Sequence, residues 1–145
     1  MSVNHAKPVG RTASGYFQVG VRRTFPISVE EAWDFILSSE GVKVWLGEPA
    51  LTNFAVGRTF ATKSGISGEI RVMNPHTNIR MSWGMKDWPK ASTVQIRTIA
   101  VDPRKTTISF HQENLPDAQA REEMKRYWEE VLDKIKEIYS TKALQ

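Results

Sequence analysis

Asp117–Tyr139 reads DAQAREEMKRYWEEVLDKIKEIY. Within it Met124, Trp128, Val131, Ile135 and Ile138 recur at alternating steps of four and three, and Leu132 widens the stripe. That spacing places all six on one face of a helix. Glu122, Arg126, Glu130 and Lys134 fall on the opposite face, where Glu130 and Lys134 stand at the favourable i, i+4 spacing. At roughly 1.5 Å per residue the helix is about 35 Å long, the width of a small domain. A stripe of this length needs a complementary apolar surface. About three heptads with a bulky Trp128 make a weak zipper, so packing inside one domain is favoured over a coiled coil.

The upstream sequence offers that surface as strands. Tyr16–Phe25 alternates, with Phe17, Val19, Val21 and Phe25 on one side, and Arg23 interrupts the inward row. Pro26 ends the strand, and Ser28 with Glu31 forms a capping box for a helix over Val29–Leu37 that turns Ala32, Trp33, Ile36 and Leu37 to one face. Ser38–Leu46 reads as a second short helix ended by Gly47, and Glu48–Gly57 as loop. From Arg58 the period is two: Arg58–Lys63, Ile66–Met73, Asn78–Met85, Ala91–Val101 and Thr106–Gln112. Asn74–Thr77 and Asp102–Lys105 are turns, and Gly65–Gly68 is read as a hairpin turn without a following helix to bind phosphate. The expected inward row of the fifth strand is Val94, Ile96, Thr98 and Ala100. Strand, two helices, five strands and a long helix make an α+β architecture, a six-stranded antiparallel curved sheet around the last helix. Residues 1–13 read as a disordered leader, 14–140 as a single domain and 141–145 as a tail.

Several function classes fall away on composition. A chain of 145 residues with 40% hydrophobic and 25% charged residues is an ordinary globular domain able to bury a core. No apolar run reaches the roughly 18 residues of a membrane span, and the first residues lack a signal peptide's apolar region. With no cysteine there is no disulfide framework and no thiolate chemistry, and the reading places the chain in the cytoplasm. The net charge of +4 comes from scattered basic residues, which reads as a solvated surface and not as a nucleic-acid track.

The order of elements and five local phrases resemble the START-like (SRPBCC) superfamily and its helix-grip, birch-pollen-allergen-like fold. The branch most similar is named after the activator of the heat-shock-protein-90 ATPase. The phrases are Phe25–Trp33 (FPISVEEAW), Val44–Gly47 (VWLG), Gly68–Val72 (GEIRV) with Pro75 and Trp83, Thr106–Gln112, and Trp128–Leu132 (WEEVL). Together they cover about residues 16–140. Two positions depart from the family pattern: Tyr127 stands where glycine is common, and Gln112-Glu113 where a His-Glu pair is common, with His111 one position earlier and outward. The resemblance implies a cavity between sheet and long helix, lidded by the short helix, that takes lipids or other apolar ligands. It also implies two alternatives, a chaperone-ATPase activator or protein-interaction module, and an enzyme of the polyketide-cyclase kind.

Catalytic chemistry is hard to find in the residues. His5, His76 and His111 have no partners at metal-ligand spacing, and no nucleophile or phosphate-binding motif is present, so no catalytic residue, metal or cofactor is assigned. Glu113 is the acid least unsuited to proton transfer. This leans away from an enzyme without deciding the point. The inward set is instead apolar and polarizable: Trp45, Phe60, Trp83, Met85, Ile96, Met124 and Trp128, with Thr98 and Gln112 as the polar groups able to orient a ligand. These nine are the cavity candidates, and the same side chains could equally form a solid core. The expectation is a non-enzymatic domain for a small hydrophobic ligand. Homodimerisation through a sheet edge or helix stays open, and a chaperone partner rests on analogy.

Overall fold

The computed structural model describes residues 16–48 and 53–143. The expected leader and Pro49 lie outside them. The elements run β1 (Phe17–Phe25), α1 (Val29–Leu37), α2 (Ser39–Trp45), β2 (Thr59–Ala61), β3 (Ile66–Asn74), β4 (Asn78–Met85), β5 (Ser92–Asp102), β6 (Lys105–Leu115) and α3 (Ala118–Ala143). All six strands form one sheet in the order β1-β6-β5-β4-β3-β2, each neighbouring pair antiparallel. β2 to β6 is a meander, and β1 closes against its last strand. The helix-grip α+β architecture is therefore the observed one.

Local chemistry explains the boundaries. Ser28 Oγ accepts the Glu31 N–H at 3.1 Å, capping α1 as the sequence signals, and Ser38 Oγ does the same for Gly41 in α2. Asp117 Oδ1 accepts the Ala120 N–H at 2.7 Å and starts α3. α3 then runs to Ala143, past the Tyr139 end expected from sequence and into the expected tail. Met124, Trp128, Val131, Leu132 and Ile135 are all buried against the sheet. Tyr139 is buried too, 6.4 Å from the Phe25 ring and 5.5 Å from Phe35, whereas Ile138 is only half-buried. Glu122, Arg126, Glu130 and Lys134 are exposed as expected. Glu130 and Lys134 form no ion pair; Asp133 instead reaches β1, 2.8 Å from Arg23 Nη1, so the arginine that interrupts the inward row ties sheet to helix.

Two strand expectations change. Gly65 has φ +95° and sits in the β2–β3 turn, but Ile66, Ser67 and Gly68 belong to β3 rather than to the turn. Gly68 pairs with Phe60 of β2, and a Cβ there would run into the Ser82 carbonyl oxygen of β4, so glycine allows β3 and β4 to approach. Ala100, expected inward, is exposed, because β5 loses its cover beyond Thr98 and its register shifts between Ala100 and Asp102. No helix among the described residues is long and apolar enough to cross a membrane.

Candidate functional site

The interior between sheet and α3 is built around three fully buried tryptophans, Trp45, Trp83 and Trp128. Alternation along β4 points Trp83 inward with Met81. The 3.6-residue period of α3 brings Trp128 down onto it, with ring centroids 5.2 Å apart. Phe110 of β6 stacks on the other side of Trp128 at 4.6 Å and 11°. Such ring pairs add about 0.5–1.5 kcal/mol each beyond the area they bury. Phe60 of β2 meets Trp83 edge-on at 6.4 Å, and Tyr127 does so at 5.9 Å.

Through these rings runs a buried polar chain. The Trp128 indole N–H donates to Gln112 Oε1 at 2.8 Å, Gln112 Nε2 donates to Ser92 Oγ at 2.8 Å, and Ser92 Oγ donates to the Trp83 carbonyl at 2.6 Å. An indole nitrogen can only donate, which fixes the amide orientation of Gln112 and the direction of every bond in the chain. Both ends of Gln112 are thus engaged within the protein. Its position on the inward face is as expected, and it links strand to helix, using one of its two amide N–H groups and one of its two oxygen lone pairs.

Trp45 is equally well held: its indole N–H donates to Ile36 O at 2.9 Å, joining α2 to α1. The Tyr127 hydroxyl donates to Trp45 O at 2.6 Å, joining α3 to α2, and its ring occupies the space that a glycine would leave. Burial holds the Tyr127 phenol pKa well above its ordinary range. Tyr139 is pushed up to about 12, by burial first and then by Glu31, Glu40 and Asp34.

Trp83 differs from the other two. Its Nε1 is buried and has no hydrogen-bond partner. The half-buried Phe54, Met85, Trp88 and Tyr127 pack against the core, Tyr127 lying 5.9 Å from Trp83 and Phe54 6.0 Å from Trp45. The structure therefore gathers Trp45, Phe60, Trp83 and Trp128 at the α2 end of the interface, with Phe54 and Tyr127 beside them, while Met85 follows Trp83 by two residues on β4. Phe54 escaped sequence reading because it lies in a segment without periodicity. Ile96 and Met124 are buried core residues.

Thr98 is buried and its Oγ1 is also unpartnered. It lies six residues along β5 from Ser92, the partner of Trp83, or roughly 20 Å at the rise of a strand. Glu113 stands on the outer side of the sheet, its Oε1 3.4 Å from Arg80 Nη2, and His111 meets Gln18 Oε1 at 3.2 Å, also outside. His76 occupies the β3–β4 turn with φ +62°, its ring 6.1 Å from Trp33. Among the described residues no group of three His, Cys, Asp or Glu is placed to hold a metal ion.

Comparison with known proteins agrees with this architecture. The structure is similar to that of PFC0360w, described as an HSP90 activator from Plasmodium falciparum, with 21% identity and a TM-score of 0.74 over 85% of this chain and 96% of that one. It is similar to CalU16 from Micromonospora echinospora, with 22% identity and a TM-score of 0.75 over 92% and 83% of the two chains. The Aha1 dimer from Colwellia psychrerythraea is more distant, at 13% identity and a TM-score of 0.60 over 77% and 90%. No curated protein matches the sequence significantly. Residues 26–140 match the family described as Activator of Hsp90 ATPase homolog 1-like protein, and the chain belongs to that family.

Proposed function

We propose that the chain binds a small hydrophobic molecule carrying a hydrogen-bond acceptor, held at the Trp83 end of the sheet–helix interface. The observation that carries this is the orphaned indole N–H of Trp83. Burying a donor without an acceptor costs about 1–3 kcal/mol, and native interiors rarely leave one without reason. Trp45 and Trp128, buried to the same degree, both have acceptors. A carbonyl, ester or ether oxygen reaching Trp83 would complete the set, while Phe60, Tyr127 and Met85 contact the apolar remainder. Phe54 and Met85, half-buried and on the rim, are the side chains that would move aside.

The test is displacement of a fluorescent hydrophobic dye by a long-chain methyl ketone and by an alkane of the same length, with native mass spectrometry of the complex. The reading expects the ketone to displace the dye and to be retained as a stoichiometric complex. If neither compound displaces the dye or is retained, the reading is wrong.

Protein interaction is the second reading, comparable on the family likeness. The exposed apolar end of β5 favours it.

A further inference from the structure

We propose that the surface around Pro26 and the β5–β6 turn docks a partner-protein segment presenting an apolar side chain next to carboxylates. This surface is independent of the ligand site: along α3, Tyr139 lies twelve residues from Tyr127, roughly 18 Å away.

The strand end is the first element. Ile99, Ala100 and Val101 are all exposed, Ile99 at 36% and Val101 at 59%. Successive strand residues face opposite sides, so three exposed in a row leave both faces uncovered. The register shift between Ala100 and Asp102 bends this end of the ladder. Asp102 Oδ1 accepts the Arg104 N–H at 2.7 Å and holds the turn in shape.

Clefts flank that turn on both sides. One of about 460 Å³ is lined by Val29, Glu30, Ala100, Val101, Asp102 and Pro103. Another of about 570 Å³ is lined by Pro26, Asp102, Pro103, Arg104 and Lys105. A third, about 370 Å³, continues past Pro26 to Phe25, Lys136 and Ser140. Their shared residues, Pro103 and Pro26, make them one continuous surface. Prolines in such a ridge present a rigid apolar edge without an N–H to satisfy.

Charge is divided across the ridge, and this selects the partner. Arg104, Lys105 and Lys136 have no acidic side chain within ion-pairing distance among the described residues. Asp102, whose Oδ1 accepts the Arg104 N–H, offsets one of these three positive charges, and Arg23 is engaged by Asp133. Glu30 stands on the far, apolar side, in the first turn of α1. A complementary segment therefore places an apolar side chain against Val101 and carboxylates over Arg104, Lys105 and Lys136. Such an arrangement steers approach by charge and anchors by apolar contact.

A synthetic peptide with a central Leu-Phe pair flanked by Glu and Asp serves as the probe, titrated into the ¹⁵N-labelled full chain. A control peptide carries Gln and Asn in place of the acids. The acidic peptide is expected to shift the amides of residues 99–102, 104 and 105, of Ile27 and of residues 136–140. Val101→Asp, and separately Arg104→Glu with Lys105→Glu, should each weaken it by about tenfold, as should raised salt. These side chains are exposed, and circular dichroism checks that the variants fold. Equal binding of the control peptide, absent shifts, or shifts confined to other surfaces would overturn the proposal. So would a concentration-dependent dimer in sedimentation that Val101→Asp abolishes, since the face would then belong to a second copy, whose α3 carries an exposed acidic side.

Discussion

Trp128 of α3 and Gln112 of β6, both fully buried, meet at 2.8 Å with the indole N–H donating to the amide oxygen. This bond fixes the rotation of the long helix over the sheet, because only one helical register brings the indole edge to that oxygen. Gln112→Leu would leave the Trp128 donor unpaired inside an apolar surround, at a cost of about 1–3 kcal/mol. In a double-mutant cycle with Trp128→Phe, urea unfolding should show coupling of about 1 kcal/mol or more. Additive costs would mean the bond contributes nothing.

The three fully buried tryptophans should respond unequally to loss of the indole nitrogen. Trp45→Phe and Trp128→Phe each break a bond and strand an acceptor. Trp83→Phe removes a donor that has no partner in the free protein. The unfolding free energy from urea titration should therefore fall least for Trp83→Phe, by about 1 kcal/mol less than for Trp128→Phe. Equal losses would show that something in the free protein accepts the Trp83 N–H.

Gly68 and Gly84 give a steric contrast. A Cβ on Gly68 would collide with the Ser82 backbone and lie 2.7 Å from Phe60 Cζ, whereas at Gly84 the nearest atom is Ala91 Cβ at 3.6 Å. Gly68→Ala should destabilise by about 1–3 kcal/mol or more, as overpacking does. Gly84→Ala should change stability far less. Thermal unfolding of the two variants side by side reads the difference.

Alkaline pH should weaken the fold through two phenols. Tyr127 and Tyr139 both have pKa values raised above the ordinary 10, Tyr139 to about 12. Below pH 10 these phenols are protonated in folded and unfolded chains alike, so they leave stability unchanged. Above it the unfolded chain loses protons that the folded chain keeps, and stability falls as pH rises from 10 toward 12. Tyr139→Phe should flatten part of that fall, measured by urea unfolding at pH 9 and pH 11. An unchanged slope would contradict the assignment.

Much of the fold was legible because it rests on periodicity. The α3 stripe, the Ser28 cap and the alternating strands from Ile66 onward are statements about one element at a time. The misses follow from the same limit. A 3.5-residue step carries the α3 stripe to Ile138, but the straight helix drifts from that repeat and buries Tyr139 instead. Gly68 reads as turn until β4 is laid beside it. The Trp128–Gln112–Ser92 chain depends on cross-strand register, with Ser92 and Gln112 twenty residues apart in sequence. Which of the three fully buried tryptophans lacks an acceptor depends on every neighbour at once, and no local pattern encodes it.

The most direct measurement follows the indole N–H resonances of the five tryptophans, with Trp83 assigned by Trp83→Phe. On adding the long-chain methyl ketone, the Trp83 N–H should move downfield more than the other four. The matched alkane should leave it where it was. A ketone that binds while the Trp83 resonance stays put, or a crystal structure with an ordered water already accepting that N–H, would contradict the proposed site.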